Sequence, residues 1–212
     1  MFKERSDILL GLPKSAELSK QLPKKMIYEK FNMNTATKEK FDADISRINI
    51  VAEISPNTVN ISKGENVSVI FVLQVILKHK EFEDKTISQI SKLIDQNMVL
   101  VLDCDGERKL AIHHTKLLQT DWMPSDDCSV ALTGLNLDTV WENLIIQVGS
   151  IEIEQGHSLE EQIAADEQKA KLEKEIARLE KQARNEKQPK KKFELVQMIK
   201  KLKEETSSDK KE

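Results

Sequence analysis

The sequence predicts an α/β domain, a mixed sheet with covering helices, followed by a C-terminal antiparallel helical hairpin of the coiled-coil type. Between residues 45 and 113, runs of alternating or continuous apolar residues are typical of strands. Beyond residue 157 the chain is highly charged and carries two apolar seams with heptad-like spacing, separated by a short break. We therefore expect an α/β domain over 1–156, a charged hairpin over 157–205 and a disordered tail over 206–212.

The first forty residues are interrupted by two prolines, Pro13 and Pro23, which limit the length of any helix there. Short helices are predicted on either side of the first proline, at Lys3–Leu10 and Ala16–Gln21. An extended segment then leads into a helix that begins near Thr35, which has a side chain suited to the N-cap.

The central part of the chain reads as strands around one helix. RINIVAEI alternates and predicts a strand, TVNI a short second strand, and VSVIFVLQVILK a central strand buried on both faces. The helix TISQISKLIDQ follows, and MVLVLDC is the next strand, so the two long strands are expected to be parallel with a right-handed crossover. Asp105-Gly106 predicts a tight hairpin into RKLAIHHT, and a helix over residues 137–150 covers the sheet.

The C-terminal segment begins with a helix start signal. Ser158 and Glu161 have the spacing of a capping box. Pro189 can open a second helix but cannot lie within the first. The apolar seam residues of the two predicted helices are Leu172, Ile176, Leu179 and Ala183, then Leu195, Ile199 and Leu202.

Composition argues against several protein classes. The longest apolar run is too short to span a membrane, and the N-terminus lacks the features of a signal peptide. Cys104 and Cys128 form no paired motif and are expected to be buried, reduced residues. The expected location is the cytoplasm, with no membrane partner.

A metal-dependent nuclease is one enzymatic interpretation. It would use Asp44, Glu53 and Lys78 around a divalent cation. Ile76, however, occupies the strand position where such a site needs a carboxylate, so the pattern fits a decayed site better than a working one.

Other chemistry has even less support in the sequence. Asp103, Asp105, His113 and His114 lie near a predicted hairpin, but adjacent histidines on a strand point to opposite faces. No nucleophile motif and no glycine-rich phosphate loop are present. We therefore expect no metal, no cofactor and no catalytic residue.

The hairpin carries the clearest functional signal. Residues 184–203 contain eight Lys or Arg against two Asp or Glu, whereas residues 1–157 contain 18 against 23. The seam could dock on a partner or on a second copy of the chain, or the charges could simply keep the hairpin solvated. The predicted phosphate-binding residues are Arg184, Lys187, Lys190, Lys191 and Lys192.

Several phrases together resemble a bacterial family designated domain of unknown function 4391. They are QLPKKMIYEKF, DISRINIVAEISPNTVNI, VLQVILK and KLEKEIARLEKQARNEKQPKKKFELVQMIKKLKEE. The resemblance implies an accessory role beside a helicase or DNA methyltransferase in a restriction or phage-defence system. The function expected is thus a non-enzymatic adaptor subunit, with a nuclease or a simple nucleic-acid-binding protein as alternatives and a homo-oligomer left open.

Overall fold

The structure, a computed structural model, describes residues 10–154 and 156–208, with side chains of the last helix described up to Glu204. The chain divides into two compact units, the first ending at Ile151 and the second beginning at Glu152. The boundary between the two units therefore lies a few residues before residue 156, where the sequence predicted it. The predicted helix Lys3–Leu10, apart from its last residue, lies outside the described residues, as does the 209–212 part of the predicted tail.

Within the described residues, the first unit contains one sheet of seven strands and five α-helices. The strands are β1 (Glu17–Leu22), β2 (Ile45–Ile54), β3 (Ile70–Leu77), β4 (Asn97–Cys104), β5 (Glu107–His113), β6 (Leu117–Gln119) and β7 (Met123–Pro124). The helices are α1 (Lys24–Lys30), α2 (Thr35–Asp44), α3 (Pro56–Val59), α4 (Asp84–Ile90) and α5 (Leu137–Gly149), and a 3₁₀ turn at Lys14–Ala16 precedes β1.

The sheet is mixed, as the sequence predicted. Its order is β1-β2-β3-β4-β5-β6, with β7 also paired to β5. β3 and β4 are parallel and are joined through α4, while the other neighbouring pairs are antiparallel. The β4–β5 connection is the predicted Asp105-Gly106 turn, whose φ angles of 51° and 82° require the left-handed region that glycine and aspartate tolerate.

The two central strands, β3 and β4, are buried on both faces of the sheet. Leu73 of β3 and Leu102 of β4 lie in a core cluster with Phe41 of α2 and Ile87 of α4. Successive strand residues point to opposite faces, so Val72 lies on the other face. α5 contacts β5 and β6, and its apolar stripe is buried. This arrangement explains why β3 and β4 read as almost continuously apolar.

Three segments of the first unit were assigned the wrong secondary structure. The segment between Pro23 and the Thr35 helix was expected to be extended, but Lys24–Lys30 forms helix α1. Ala16–Gln21 was expected to be a helix, but Glu17–Leu22 forms strand β1, whose residues are exposed except for Leu22. An edge strand exposed on both faces has no apolar alternation to reveal it. TVNI was expected to be a strand, but its first two residues end helix α3, which Ser55 and Thr58 cap reciprocally.

The second unit contains two long helices packed against each other, α6 (Leu159–Asn185) and α7 (Pro189–Ser208). The Ser158–Glu161 capping box is present at the start of α6, as predicted. The antiparallel hairpin fold is therefore confirmed. Helix α7 continues to Ser208, so residues 206–208, which were expected to belong to a disordered tail, are helical. Among the described residues, no helix has the length and apolar character needed to cross a membrane.

Candidate interaction surface on the helical hairpin

The apolar seam predicted on α6 and α7 joins the two helices of the hairpin. Leu179 and Ala183 on α6 are each 7% exposed. The remaining seam residues are half-buried: Leu172 and Ile176 on α6, and Leu195, Ile199 and Leu202 on α7. Two helices alone cannot cover a seam completely, so part of this apolar surface remains accessible. Its use by a partner stays a prediction.

One ion pair links the helices beside the seam. The Lys203 Nζ lies 2.8 Å from a Glu180 carboxylate oxygen, and the Arg184 guanidinium lies 3.7 Å from the other. The hydrogen bond from Lys203 and its charge hold the pKa of Glu180 below its usual range. Glu180 therefore carries a full negative charge at neutral pH and is already engaged by two cations. The sequence could not reveal this pair, because the two residues are distant along the chain.

The end of the hairpin, where α6 leads into α7, has a different electrostatic character. Lys187, Lys190, Lys191 and Lys192 are exposed, and none forms an ion pair with any residue that the structure describes. Three of the four occupy the first turn of α7, which holds no acidic residue. We call these four lysines the tip lysines. Of the five predicted phosphate-binding residues, Arg184 alone forms an ion pair among the described residues.

The tip lysines oppose the dipole of α7. The N-terminus of a helix carries a partial positive charge, so cations there cost about 0.3–1 kcal/mol each at low ionic strength. The chain follows the usual rule at α6, where Glu160 and Glu161 occupy the first turn. The lysines in the first turn of α7 thus concentrate positive charge at a position where it destabilises the helix.

A shallow groove of about 770 Å³ lies on one side of the hairpin near its tip. Its apolar residues are Leu195 and Met198, and the latter is 56% exposed. The rest of the lining is polar or charged: Arg178, Lys181, Gln182, Asn185, Glu186, Lys191 and Glu194. The groove therefore combines two apolar side chains with a polar rim of mixed charge, three cations and two carboxylates.

The three residues of the nuclease interpretation do not come together. Asp44 and Lys78 are neighbours at the start of β2 and the end of β3, where the Lys78 amide donates to the Asp44 carbonyl oxygen at 2.8 Å. Glu53 lies near the other end of β2, about 25 Å away at the rise of an extended strand. The Lys78 ammonium donates to the Asp42 carbonyl oxygen, and the Asp44 carboxylate lies 3.3 Å from the His79 ring.

Asp42, which the sequence reading did not single out, holds α1 and α2 against the start of β2. One of its carboxylate oxygens accepts hydrogen bonds from Lys24 Nζ and the Tyr28 hydroxyl, both at 2.6 Å. Lys24 also donates to the Ile45 carbonyl oxygen. Partial burial acts to raise the pKa of Asp42, but the bonds from Lys24 and Tyr28 outweigh it and lower that pKa. This cluster is structural, because each of its polar groups is engaged within the fold.

A second polar cluster crosses the middle of the sheet. Asn49 donates to Gln74 at 3.0 Å, Gln74 donates to Asp103 at 3.1 Å, and the Arg108 guanidinium donates to the same Asp103 oxygen at 3.0 Å. Arg108 also reaches the Ser125 carbonyl oxygen. The four side chains come from four consecutive strands, β2 to β5. Gln74, only 5% exposed, is buried at no loss of hydrogen bonding because both ends of its amide are bonded.

This cluster also accounts for the weak metal-binding pattern. Asp103 is bound by Arg108 and Gln74, and Asp105 is in the β-turn. Asp103 pairs with Arg108 near the start of β5, whereas His113 is the last residue of that strand and His114 follows it. The two histidines therefore lie away from Asp103. In the described ranges, no three His, Cys, Asp or Glu side chains are grouped so that they could hold a metal ion.

The two cysteines are free and buried, as predicted. Burial is the main cause that raises the pKa of the Cys104 thiol, and the neighbouring Asp105 adds to it. Burial likewise raises the pKa of Cys128. A raised thiol pKa lowers the thiolate fraction at neutral pH, so neither residue has the character of a nucleophile.

The comparisons with known proteins identify a family and leave its function open. The profile of the family described as "Domain of unknown function (DUF4391)" matches residues 10–205, which include nearly all of both units. Neither the search of curated proteins nor that of solved structures found a match. The resemblance expected from the sequence phrases is confirmed, and the chain belongs to the DUF4391 family.

Proposed function

We propose that this protein is a non-enzymatic accessory subunit of a cytoplasmic DNA-processing or phage-defence assembly, and that its hairpin tip contacts the phosphate backbone of DNA. The protein would act beside a helicase or a DNA methyltransferase of the same system. The observation that carries the proposal is the set of four exposed tip lysines without ion-pair partners among the described residues.

Phosphate is the ligand class that this surface fits best. A phosphate at the tip would neutralise lysine charges and would also interact favourably with the N-terminal end of the α7 dipole. Bound nucleic acid would therefore relieve the electrostatic cost that the first turn of α7 carries in the free protein. The release of counterions from DNA adds a further favourable contribution.

The contact is expected to be independent of sequence. Lysine is a flexible point charge that positions a protein on the backbone, whereas base reading needs bidentate side chains in a groove. The exposed aromatic residue nearest to the tip is Phe193, and a single ring is a poor stacking platform for single strands. Duplex of arbitrary sequence is thus the appropriate probe.

The test compares two triple variants of the full chain in binding to a fluorescent DNA duplex at several salt concentrations. K190Q/K191Q/K192Q removes three tip lysines. K169Q/K171Q/K174Q removes three equally exposed lysines of α6 and has the same net charge. If each tip lysine contacts one phosphate, the slope of log affinity against log salt should fall by about 0.9 for each lysine lost, or about 2.7 in all.

Two results would overturn the nucleic-acid contact: no measurable binding by the unmodified chain near 50 mM salt, or equal losses in the two triple variants. Equal losses would mean that net charge alone drives the association. The accessory role has a separate test, an affinity capture from native cells after nuclease treatment. Recovery of neither a helicase nor a methyltransferase would contradict that part of the proposal.

A further inference from the structure

Helix α7 carries apolar side chains that neither the hairpin nor the proposed DNA contact uses. Among the described residues, seven large hydrophobic side chains are exposed, and three of them fall within six residues of α7: Phe193, Val196 and Met198. The exposed fractions of Phe193 and Val196 are 63% and 48%. Phosphate contacts do not require apolar side chains, so the tip lysines leave this feature unexplained.

Phe193 and Val196 form a pair on a side of α7 that is turned away from the seam. Residues three apart are neighbours on a helix surface, so the two side chains lie next to each other. The half-buried seam residues Leu195 and Ile199 lie about 110° away from this pair around the helix axis. Packing of α7 on α6 therefore does not cover the pair.

Two lysines flank the pair on the same side of the helix. Lys192 and Lys200 lie four residues before and four residues after Val196, and both are exposed. Lys192 forms no ion pair with any residue that the structure describes. The Lys200 Nζ lies 3.9 Å from a Glu204 oxygen, but both side chains are exposed and such a pair contributes little. We call Lys192, Phe193, Val196 and Lys200 the outer face of α7.

We propose that the outer face of α7 is a docking surface for a protein partner, and that its occupant is an amphipathic helix whose apolar stripe is flanked by acidic residues. Phe193 and Val196 pack on the stripe, and the two lysines pair with the flanking carboxylates. Apolar core positions and flanking charged positions have the same relation in a coiled coil. The docking contact rests on the proposed function, because an accessory subunit needs a surface that holds its partner.

Charge and apolar area together select this occupant. The DNA backbone is anionic but offers no apolar surface to Phe193. An anionic bilayer offers both, but two apolar side chains insert too little area for stable attachment. A second copy of the outer face would set lysine against lysine. A helix with an acidic-flanked apolar stripe complements both the apolar pair and the cations.

The docking contact leaves most of the tip lysines free for DNA. Lys190 and Lys191 lie about 90° and 170° from the centre of the outer face around the axis of α7. Of the tip lysines on α7, Lys192 is the one that the two contacts share. We therefore expect the hairpin to bind the partner helix and DNA at the same time.

The probe for this surface is a fluorescent peptide of about three heptads with leucine at the a and d positions and glutamate at the e and g positions. A reference peptide carries lysine at e and g. Fluorescence anisotropy with the full chain should show tighter binding of the glutamate peptide. The whole chain has a net charge of −3, so non-specific attraction would favour the lysine peptide instead. F193S/V196S should weaken binding of the glutamate peptide by about 10-fold or more.

Two further variants separate the apolar pair from general hydrophobicity and from charge. M26S/L135S is the matched control, because it removes two apolar side chains of the first unit that are 55% and 92% exposed. It should leave the affinity for the glutamate peptide unchanged. K192E/K200E keeps the apolar pair and should reverse the preference between the two peptides. Circular dichroism should show unchanged helix content in all three variants.

Binding of neither peptide, equal binding of the two, or a glutamate-peptide affinity that F193S/V196S leaves intact would each overturn the proposal. Sedimentation of the chain with phosphatidylglycerol vesicles, or dimer formation, would also overturn it if F193S/V196S abolished the effect. Those results would assign the outer face to a membrane or to a second copy. F193S/V196S should bind the DNA duplex like the unmodified chain. A chain that binds the duplex through its tip lysines but binds neither peptide would refute the docking contact and leave the nucleic-acid contact standing.

Discussion

The hydroxyl of Tyr28 reports directly on the cluster that fastens α1 and α2 to the sheet. Burial, the hydrogen bond to Asp42 and the charge of that carboxylate together raise the pKa of Tyr28 from 10.0 to about 12. Tyr28 is also the single tyrosine of the chain, so the tyrosinate absorbance follows this hydroxyl alone. The folded state holds the Tyr28 proton more tightly than the unfolded state does. The protonated hydroxyl therefore stabilises the fold fully below pH 10, and this stabilisation is lost as the pH rises towards 12.

The perturbation that tests this assignment is D42N. The variant removes the carboxylate charge and its charge-assisted hydrogen bond but leaves the burial of Tyr28, so the midpoint should fall below 12 and remain above 10. E29Q is the control. It removes one negative charge next to Tyr28 in sequence, but Glu29 pairs with Lys25 and not with the Tyr28 hydroxyl. Far-UV circular dichroism must confirm the fold at each pH. A D42N midpoint equal to that of the unmodified chain, with the fold intact, would refute the role of Asp42.

Two further variants probe the sheet and its core. In R108M the Asp103 carboxylate, whose side chain is 20% exposed, loses its guanidinium partner, and we expect a loss of about 2 kcal/mol in urea denaturation. R108M/D103N removes the unpaired charge but keeps an acceptor for Gln74, so it should recover much of that loss, and a double variant no more stable than R108M would contradict the argument. In F41A, removal of a ring that is 2% exposed and 5.9 Å from the Tyr28 ring should cost about 3–5 kcal/mol. A loss below about 1 kcal/mol, measured in the same way, would show that Phe41 is not a core residue.

The central strands and the hairpin were predictable because their signals are strong and local. β3 and β4 are apolar throughout, Asp105-Gly106 specifies a tight turn, and Ser158 with Glu161 marks the start of α6. The edge strand β1 was not predictable, because its residues are exposed on both faces and leave no pattern. Helix α1 was read as extended for a related reason, since Ile27 is its one buried residue and gives no periodic stripe.

The functional surface was predictable only in part. The excess of lysine near residue 190 is visible in the sequence, but a sequence cannot show which cations are neutralised within the fold. Arg184 and Lys203 both belong to the basic run, yet the structure places both beside Glu180. The polar cluster from Asn49 to Arg108 was missed for the same reason. Its members are distant in sequence, and each is unremarkable until the strands are aligned.

The position of the tip lysines supports assigning the ligand contact to the hairpin. Several cations of the first unit are engaged within the fold, among them Lys24 with Asp42 and Arg108 with Asp103, although exposed lysines without ion pairs also occur there. At the hairpin tip the lysines have no such partners among the described residues, and three of them occupy a helix end that disfavours positive charge. A solvated helix needs charges, but it does not need them at that position. Charge that costs stability where it lies is better explained by a ligand than by solubility.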